Sequence, residues 1–386
     1  MGLLKSQLTT LSGGSTNSPV DPNLTLDLEF SSMTALPASV TLTRASIGTY
    51  FDSDGVLQTA LAGAARFDHD PVTLEPLGLL IEQARTNALP YSLDCFTGWT
   101  GSLVPTINST VSPDGTASAT LFTATGANQN WFRSASIAAD ATYTFSAFVK
   151  RKTGVGVVQM QCAGAGYTAV PVTDIWTRVS VIAAVTAGSK NSVFQINTAG
   201  DEVWIWGAQL EAGAFVTSYI PSTSAAVPRS GDAVKMTGVN FSSWYNPLAG
   251  TIAASRIDRE TTQNAAVAAV NDDTTANRLM TYRSNLKSVS GLVAVASTAY
   301  NIPATTAPSG NVNLTAMTFT AGRAALCQNG GTVTNSAPPT MPVVTQLEIG
   351  SSTGSSFMNG TLAFLRYWNV AKTDAELQEI TNPAKY

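Results

Sequence analysis

The residues best placed for chemistry are Phe67-Asp68-His69-Asp70-Pro71, which hold the only histidine of the chain between two carboxylates. An imidazole in that setting could act as a general base, provided a nucleophile and an oxyanion pocket stand beside it. On an extended chain neighbouring side chains point to opposite sides, so Asp68 and Asp70 cannot both orient His69 easily. Structural hydrogen bonding to nearby backbone is the role expected of all three. Sugar hydrolysis would need two carboxylates facing each other about 5 to 9 Å apart. The Glu-x-Asp-x-x-Glu run of sandwich glucanases is absent, and Glu75 with Glu82, or Asp201 with Glu202, are poor substitutes by spacing.

Metal chemistry fares no better. Asp52-Ser53-Asp54-Gly55 invites a calcium reading, but the calcium loop wants an acid where Tyr50 stands and a glutamate where Leu61 stands. The segment is expected as the Asp-Gly turn of a hairpin between Thr49-Tyr50-Phe51 and Val56-Leu57-Gln58. Asn271-Asp272-Asp273 is the best remaining local candidate for calcium, and it too is expected as a solvated turn. Cys95, Cys162 and Cys327 are odd in number and far apart, which predicts three buried thiols and fits synthesis in a reducing cytoplasm.

Ligand contact through aromatic faces remains. A pyranose presents a CH face to a flat ring and hydroxyls to polar groups. Trp131, Tyr167, Trp244 and Tyr245 lie beside polar or small residues near predicted strand ends, so they are the candidate sugar platforms, with core packing as the competing role for each. Trp204 and Trp206 alternate with Val203 and Ile205, so both are assigned to the core.

The elements that must position these residues are strands. Leu24, Leu26, Leu28 and Phe30 alternate with Thr25, Asp27 and Glu29, the period of a half-buried strand. Thr142–Val149, Trp176–Val181 and Val203–Trp206 are further runs, with a Pro113-Asp114-Gly115 turn between strands. Residues 222–235 are expected as an interdomain connection, and a second β-region runs from Phe241 to Trp368. Helical periodicity is missing until Thr373-Asp374-Ala375-Glu376, a capping box followed by Leu377 and Ile380 and ended by Pro383.

Only 12% of the 386 residues are charged and net charge is −4, with no basic stripe, so nucleic-acid binding lacks its electrostatic footprint. No apolar run approaches the roughly 18 residues of a membrane span. The hydrophobic fraction of 44% suits a globular chain. The first 24 residues are polar, without a secretory signal layout, and are expected to be extended.

Three segments carry a family resemblance. The first runs from Arg44-Ala45-Ser46 through Tyr50–Val56 and Arg66–Pro71 to Gly78-Leu79-Leu80-Ile81-Glu82-Gln83-Ala84-Arg85-Thr86-Asn87. The second is Trp206-Gly207-Ala208-Gln209-Leu210-Glu211-Ala212-Gly213-Ala214-Phe215 with Thr217-Ser218-Tyr219-Ile220-Pro221. The third is Asn359-Gly360-Thr361-Leu362 with Leu365–Asn369 and the capped helix. They resemble tailed-bacteriophage virion-surface proteins, tail-fibre, head-fibre or decoration subunits with a carbohydrate-binding-module-like jelly roll and a C-terminal concanavalin A-like (laminin G-like) sandwich.

The expectation is therefore an all-β chain of tandem β-sandwich or jelly-roll domains, with an extended N-terminal arm and a short C-terminal helix. Residues 1–24 form the arm, 25–88 a small hairpin-rich module, 89–222 the jelly roll and 223–386 the lectin-like sandwich. The resemblance implies a virion-surface component that binds host polysaccharide without catalysis, made in the bacterial cytoplasm and assembled as a homotrimer. It also implies contacts to capsid or tail proteins through the arm. A purely architectural cement role and a polysaccharide depolymerase are the alternatives. Lectin-like relatives often use calcium, but no cofactor is assigned.

Overall fold

The computed structural model describes residues 21–258, 264–284, 288–303 and 312–386. Alternation of apolar and polar residues dominates these segments, and they are built almost wholly of antiparallel strands with two short α-helices. The chain divides into two compact units. A middle unit holds Arg44–Glu75 and Ala84–Gly231; a terminal unit holds the described residues up to Thr43 together with Pro76–Gln83 and Asp232–Tyr386.

The middle unit is a sandwich of two five-stranded sheets. One runs in the order Thr177–Val185, Ala141–Thr153, Glu202–Ala212, Ala119–Thr123, Val104–Thr110. The other runs Tyr167–Val170, Val158–Gln161, Gly188–Ile196, Gln129–Ile137, Thr100–Gly101. Phe122, Phe145, Phe194, Ile205 and Leu210 fill the space between them. Inward residues of Glu202–Ala212 switch from odd to even at Gly207, where φ is +64° and the pairing with Ala141–Thr153 slips. Such a bulge needs a left-handed residue, which glycine adopts at no steric cost. It turns Gln209 and Glu211 to the sheet's second face, beside Trp206. There Trp206, Phe148 and Tyr219 pack against Leu57 and Phe51 of the hairpin Gly48–Phe51/Leu57–Ala60. The outward face of this sheet is thus occupied by residues of its own unit.

The terminal unit also has two sheets. In one, Thr334–Ser336, Arg323–Gln328, Val312–Thr320, Ala249–Asp258 and Gly360–Trp368 pair in that order. Both Leu24–Glu29 and Pro76–Ile81 join Gly360–Trp368. The second sheet runs Thr41–Thr43, Ala233–Thr237, Gln346–Ile349, Ala265–Asn271, Arg278–Arg283, Val289–Val295, Thr298–Ile302. Leu377 of the helix Asp374–Ile380 packs with Ala253, Leu314, Ala316 and Phe364. That helix starts on the expected capping box: Thr373 Oγ1 accepts the Glu376 N–H at 3.3 Å, and Glu376 Oε2 accepts the Thr373 N–H at 2.8 Å. Thr373→Ala is expected to cost about 1 kcal/mol of local stability. Amide exchange over Leu377–Ile380 should accelerate accordingly, and unchanged exchange would mean that the box contributes nothing.

The all-β fold and the closing helix match the sequence expectation. The partition differs. Residues 25–88, read as one module, are shared between the units, because Leu28 and Glu29 pair with Leu365 and Phe364, and Leu80 pairs with Thr361. The connection expected over residues 222–235 holds two strands, Val227–Arg229 and Ala233–Thr237, and buries Arg229 and Asp232. Residues 1–20 of the expected arm lie outside the described residues. Its end is held: Lys372 Nζ binds Asp21 Oδ2 at 2.8 Å, which keeps the Asp21 carboxyl below the ordinary carboxylate range.

Candidate functional site

The obvious chemical residues are consumed by structure. Asp68 Oδ1 accepts the Phe51 N–H at 2.8 Å, and His69 Nδ1 lies 3.2 Å from the Phe51 carbonyl. Asp70 Oδ1 accepts the Val72 and Thr73 N–H groups at 2.8 and 2.9 Å. Asp52 holds the hairpin turn by accepting from the N–H groups of Asp54 and Val56. Asp272 accepts from Thr274 and Asn277, and these bonds hold its carboxyl below the usual range. Asp201 accepts from Arg151 and the Gly156 N–H, and Glu202 from Lys152 at 3.2 Å. The three cysteines are unpaired and buried; burial pushes the Cys162 thiol up to about 11. Among the described residues no three His, Cys, Asp or Glu side chains gather as a metal site.

Parts of the first two segments that carry the family resemblance form a buried polar seam in the middle unit. Asn87 Nδ2 donates to the carbonyls of Ala208 and Ile220, while its Oδ1 accepts the N–H groups of Leu89 and Leu210. Gln209 Oε1 accepts the Ile220 N–H at 2.7 Å. Glu211 accepts the Thr217 N–H and hydroxyl at 2.9 and 2.7 Å. Arg66 donates to the Thr49 carbonyl and Ser218 hydroxyl, and Arg44 to the carbonyls of Ser46, Leu61 and Ala64. Asn87, Gln209, Glu211 and Arg66 are fully buried. Buried polar groups must find partners, and these find each other and the backbone.

The four aromatic candidates separate sharply. Trp131 is 7% exposed, packs on Phe122 and donates its indole N–H to the Cys95 carbonyl. Trp244, in the terminal unit, is equally buried against Tyr367 and donates to the Asn240 carbonyl. Tyr245 is half-buried and stacks on Phe241 and Phe319; burial raises its phenol above the ordinary range. Tyr167 alone is open to solvent, 41% exposed on an edge strand. Trp206 lies in the core as expected, whereas Trp204 is only half-buried, with Lys150 Nζ 5.7 Å from its ring centre.

Tyr167 belongs to a surface that follows from the register of its sheet. Trp131, Phe194 and Met160 stand in one cross-strand row facing the core. The next row, by alternation, faces away from it: Phe132, Val193, Gln161, Tyr167. It is flanked on one side by Asn130, Gln195, Gln159 and Ala169, and on the other by Ser134 and Asn191. From Phe132 to Tyr167 is three strand spacings, about 14 Å. No charged side chain occupies these positions; Arg133 and Lys190 fall on the alternate ones. The amides are only partly used. Ser134 donates to Asn191 Oδ1 at 2.6 Å, Asn197 to Gln159 Oε1 at 3.3 Å, and Gln161 Nε2 to the Ala165 carbonyl at 2.5 Å. Gln161 Oε1, Gln195 Oε1 and the amide nitrogens of Gln159 and Asn191 keep their hydrogen-bonding capacity among the described residues.

Sequence reasoning missed Phe132, Gln159, Gln161, Gln195 and Asn191. The signal was present: Trp131, Ala135 and Ile137 are apolar at even spacings of four and two residues, which puts Phe132 and Ser134 on the other face.

No family model matches the chain, and no curated protein does. Among solved structures, the CBM40 of the Ruminococcus gnavus IT-sialidase, bound to α2,3-sialyllactose, is 15% identical. The match covers 37% of this chain and 87% of that one at a TM-score of 0.33. The NanB sialidase of Streptococcus pneumoniae is 12% identical over 39% of this chain and 27% of its own, at 0.32. A SAP-like pentraxin of Limulus polyphemus is 12% identical over 36% and 73%, at 0.26. Likenesses this distant assign no activity to the chain.

Proposed function

We propose that the chain is a non-catalytic adhesion protein of a bacteriophage virion surface, of the fibre class, and that its middle unit binds a neutral glycan of the host surface. The observation that carries this reading is the uncharged face around Phe132 and Tyr167. Carboxamides and hydroxyls offer paired donors and acceptors, as sugar hydroxyls do, and the two rings offer flat apolar ground for pyranose CH groups. An anionic sugar would require a cation to meet its carboxylate, and the face provides none. The absence of catalysis is supported by Asp52, Asp68, Asp70, Asp201, Glu202 and Asp272, whose carboxylates are committed to turns, N–H groups and basic side chains. The three unpaired thiols support synthesis in a reducing compartment before assembly. Trimer formation and attachment through the N-terminal segment are carried by the family resemblance.

A glycan array probed with the full chain tests this reading. Neutral hexose oligosaccharides should bind, and uronic- or sialic-acid-terminated ones should not. Tyr167→Ala and Phe132→Ala should each weaken binding about tenfold, the loss of one ring contact. Retention of full affinity in both variants would remove this face from the binding reading. Release of reducing ends would instead favour a depolymerase, and labelling of the particle interior only would favour cementing.

A further inference from the structure

The second sheet of the terminal unit sets a lysine, a carboxylate and a carboxamide side by side. Lys235 pairs with Glu348, and Gln346, two residues earlier on that strand, pairs with Asn271 on the next. Two-residue spacing puts all four side chains on one face. Glu348 and Asn271 are fully buried. Glu348 Oε1 lies 3.4 Å from Lys235 Nζ and 3.3 Å from Asn271 Nδ2, so one oxygen contacts both nitrogens. Asn271 Oδ1 accepts from Gln346 Nε2 at 2.8 Å and from the Asp273 N–H at 2.9 Å. Those are the parts of an acyl transfer: an amine, a base touching both amine and leaving group, and a carbonyl held by two N–H donors where negative charge would develop.

We propose that Lys235 and Asn271 become joined by a side-chain amide bond, formed within the folded unit with Glu348 as the proton carrier. Glu348 takes one proton from the Lys235 ammonium, and the freed Nζ lone pair attacks Asn271 Cγ. Charge on Oδ1 is held by Gln346 and the Asp273 N–H. Glu348 returns its proton to Nδ2 as the Cγ–Nδ2 bond breaks, then takes the second Nζ proton and passes it to the departing ammonia. One Cγ–Nζ bond replaces one Cγ–Nδ2 bond, the lysine's charge leaves as ammonium, and Glu348 is restored. No oxidant or cofactor enters.

Asp273 opposes the reaction. Its Oδ1 lies 3.0 Å from Lys235 Nζ. Burial works to lower the ammonium's pKa, but the Asp273 hydrogen bond and the Glu348 charge outweigh it and raise the pKa. Removing Asp273's charge should therefore speed the bond.

Mass spectrometry of the purified, folded full chain tests the proposal. The intact mass should fall by one ammonia, about 17 Da, after incubation in the folded state. Digestion should yield one peptide pair linked through Lys235 and Asn271. Lys235→Arg keeps the charge pairing with Glu348 and Asp273, so it should fold and hold its full mass. Asp273→Asn should reach the reduced mass at least several-fold sooner. Unchanged mass in both the native chain and Asp273→Asn would overturn the proposal. So would a loss that persists in Lys235→Arg, since succinimide formation at Asn329-Gly330 or Asn359-Gly360 sheds the same mass.

Discussion

Asn87→Ala is expected to destabilise the middle unit by about 3–5 kcal/mol, lowering its calorimetric transition by about 10 °C. The side chain is fully buried and makes four bonds to backbone, at 2.9 to 3.1 Å. Alanine leaves two carbonyls and two N–H groups without partners in a place too enclosed for free exchange with water, and each stranded group costs about 1–3 kcal/mol. Asn87→Asp separates the halves of the effect: it keeps the acceptor for Leu89 and Leu210 and loses both donations. A loss below about 1 kcal/mol for the alanine variant would mean that ordered water enters and replaces the amide.

Trp206→Ala should cost a similar amount, about 3–5 kcal/mol, by a different route. The indole is 1% exposed, with ring centres of Tyr219 and Phe148 at 5.0 and 5.7 Å, and its N–H donates to Ser118 Oγ at 2.9 Å. Truncation opens a cavity where the hairpin residue Leu57 meets the sheet, so the hairpin should lose protease resistance together with global stability. Trp204→Ala, two residues away and only half-buried, should cost less, about 1–2 kcal/mol. Urea unfolding of the pair distinguishes them, and equal losses would refute the assignment of Trp206 as the anchor.

Much of the fold was legible because its cause is local. The alternation over Leu24–Glu29, the Asp52–Gly55 turn and the Thr373–Glu376 cap each follow from a few neighbouring residues, and each stands where the sequence placed it. The division into units was not legible, because it depends on Gly360–Trp368 choosing partners some three hundred residues earlier in the chain. Trp204 was misassigned for a related reason: the apolar run Val203–Trp206 suggested burial on both faces, but only the Trp206 end is covered by the hairpin. The candidate face was missed by one residue. Polar neighbours near a predicted strand end pointed to Trp131, while the pleat gives the surface to Phe132. The first two motifs that carry the resemblance proved to supply the seam of Asn87, Gln209, Glu211 and Arg66, whose hydrogen bonds specify how loops and strands meet.

The pairing of Gly360–Trp368 with Leu24–Glu29 and Pro76–Ile81 also dictates an order of events during translation. A nascent chain emerges from its N-terminal end, and domains can fold while synthesis continues. Every strand of the middle unit has left the ribosome before Asp232 appears, so that unit can fold first. Leu24–Glu29 and Pro76–Ile81 must meanwhile wait, their edges open, until the strand they share is delivered.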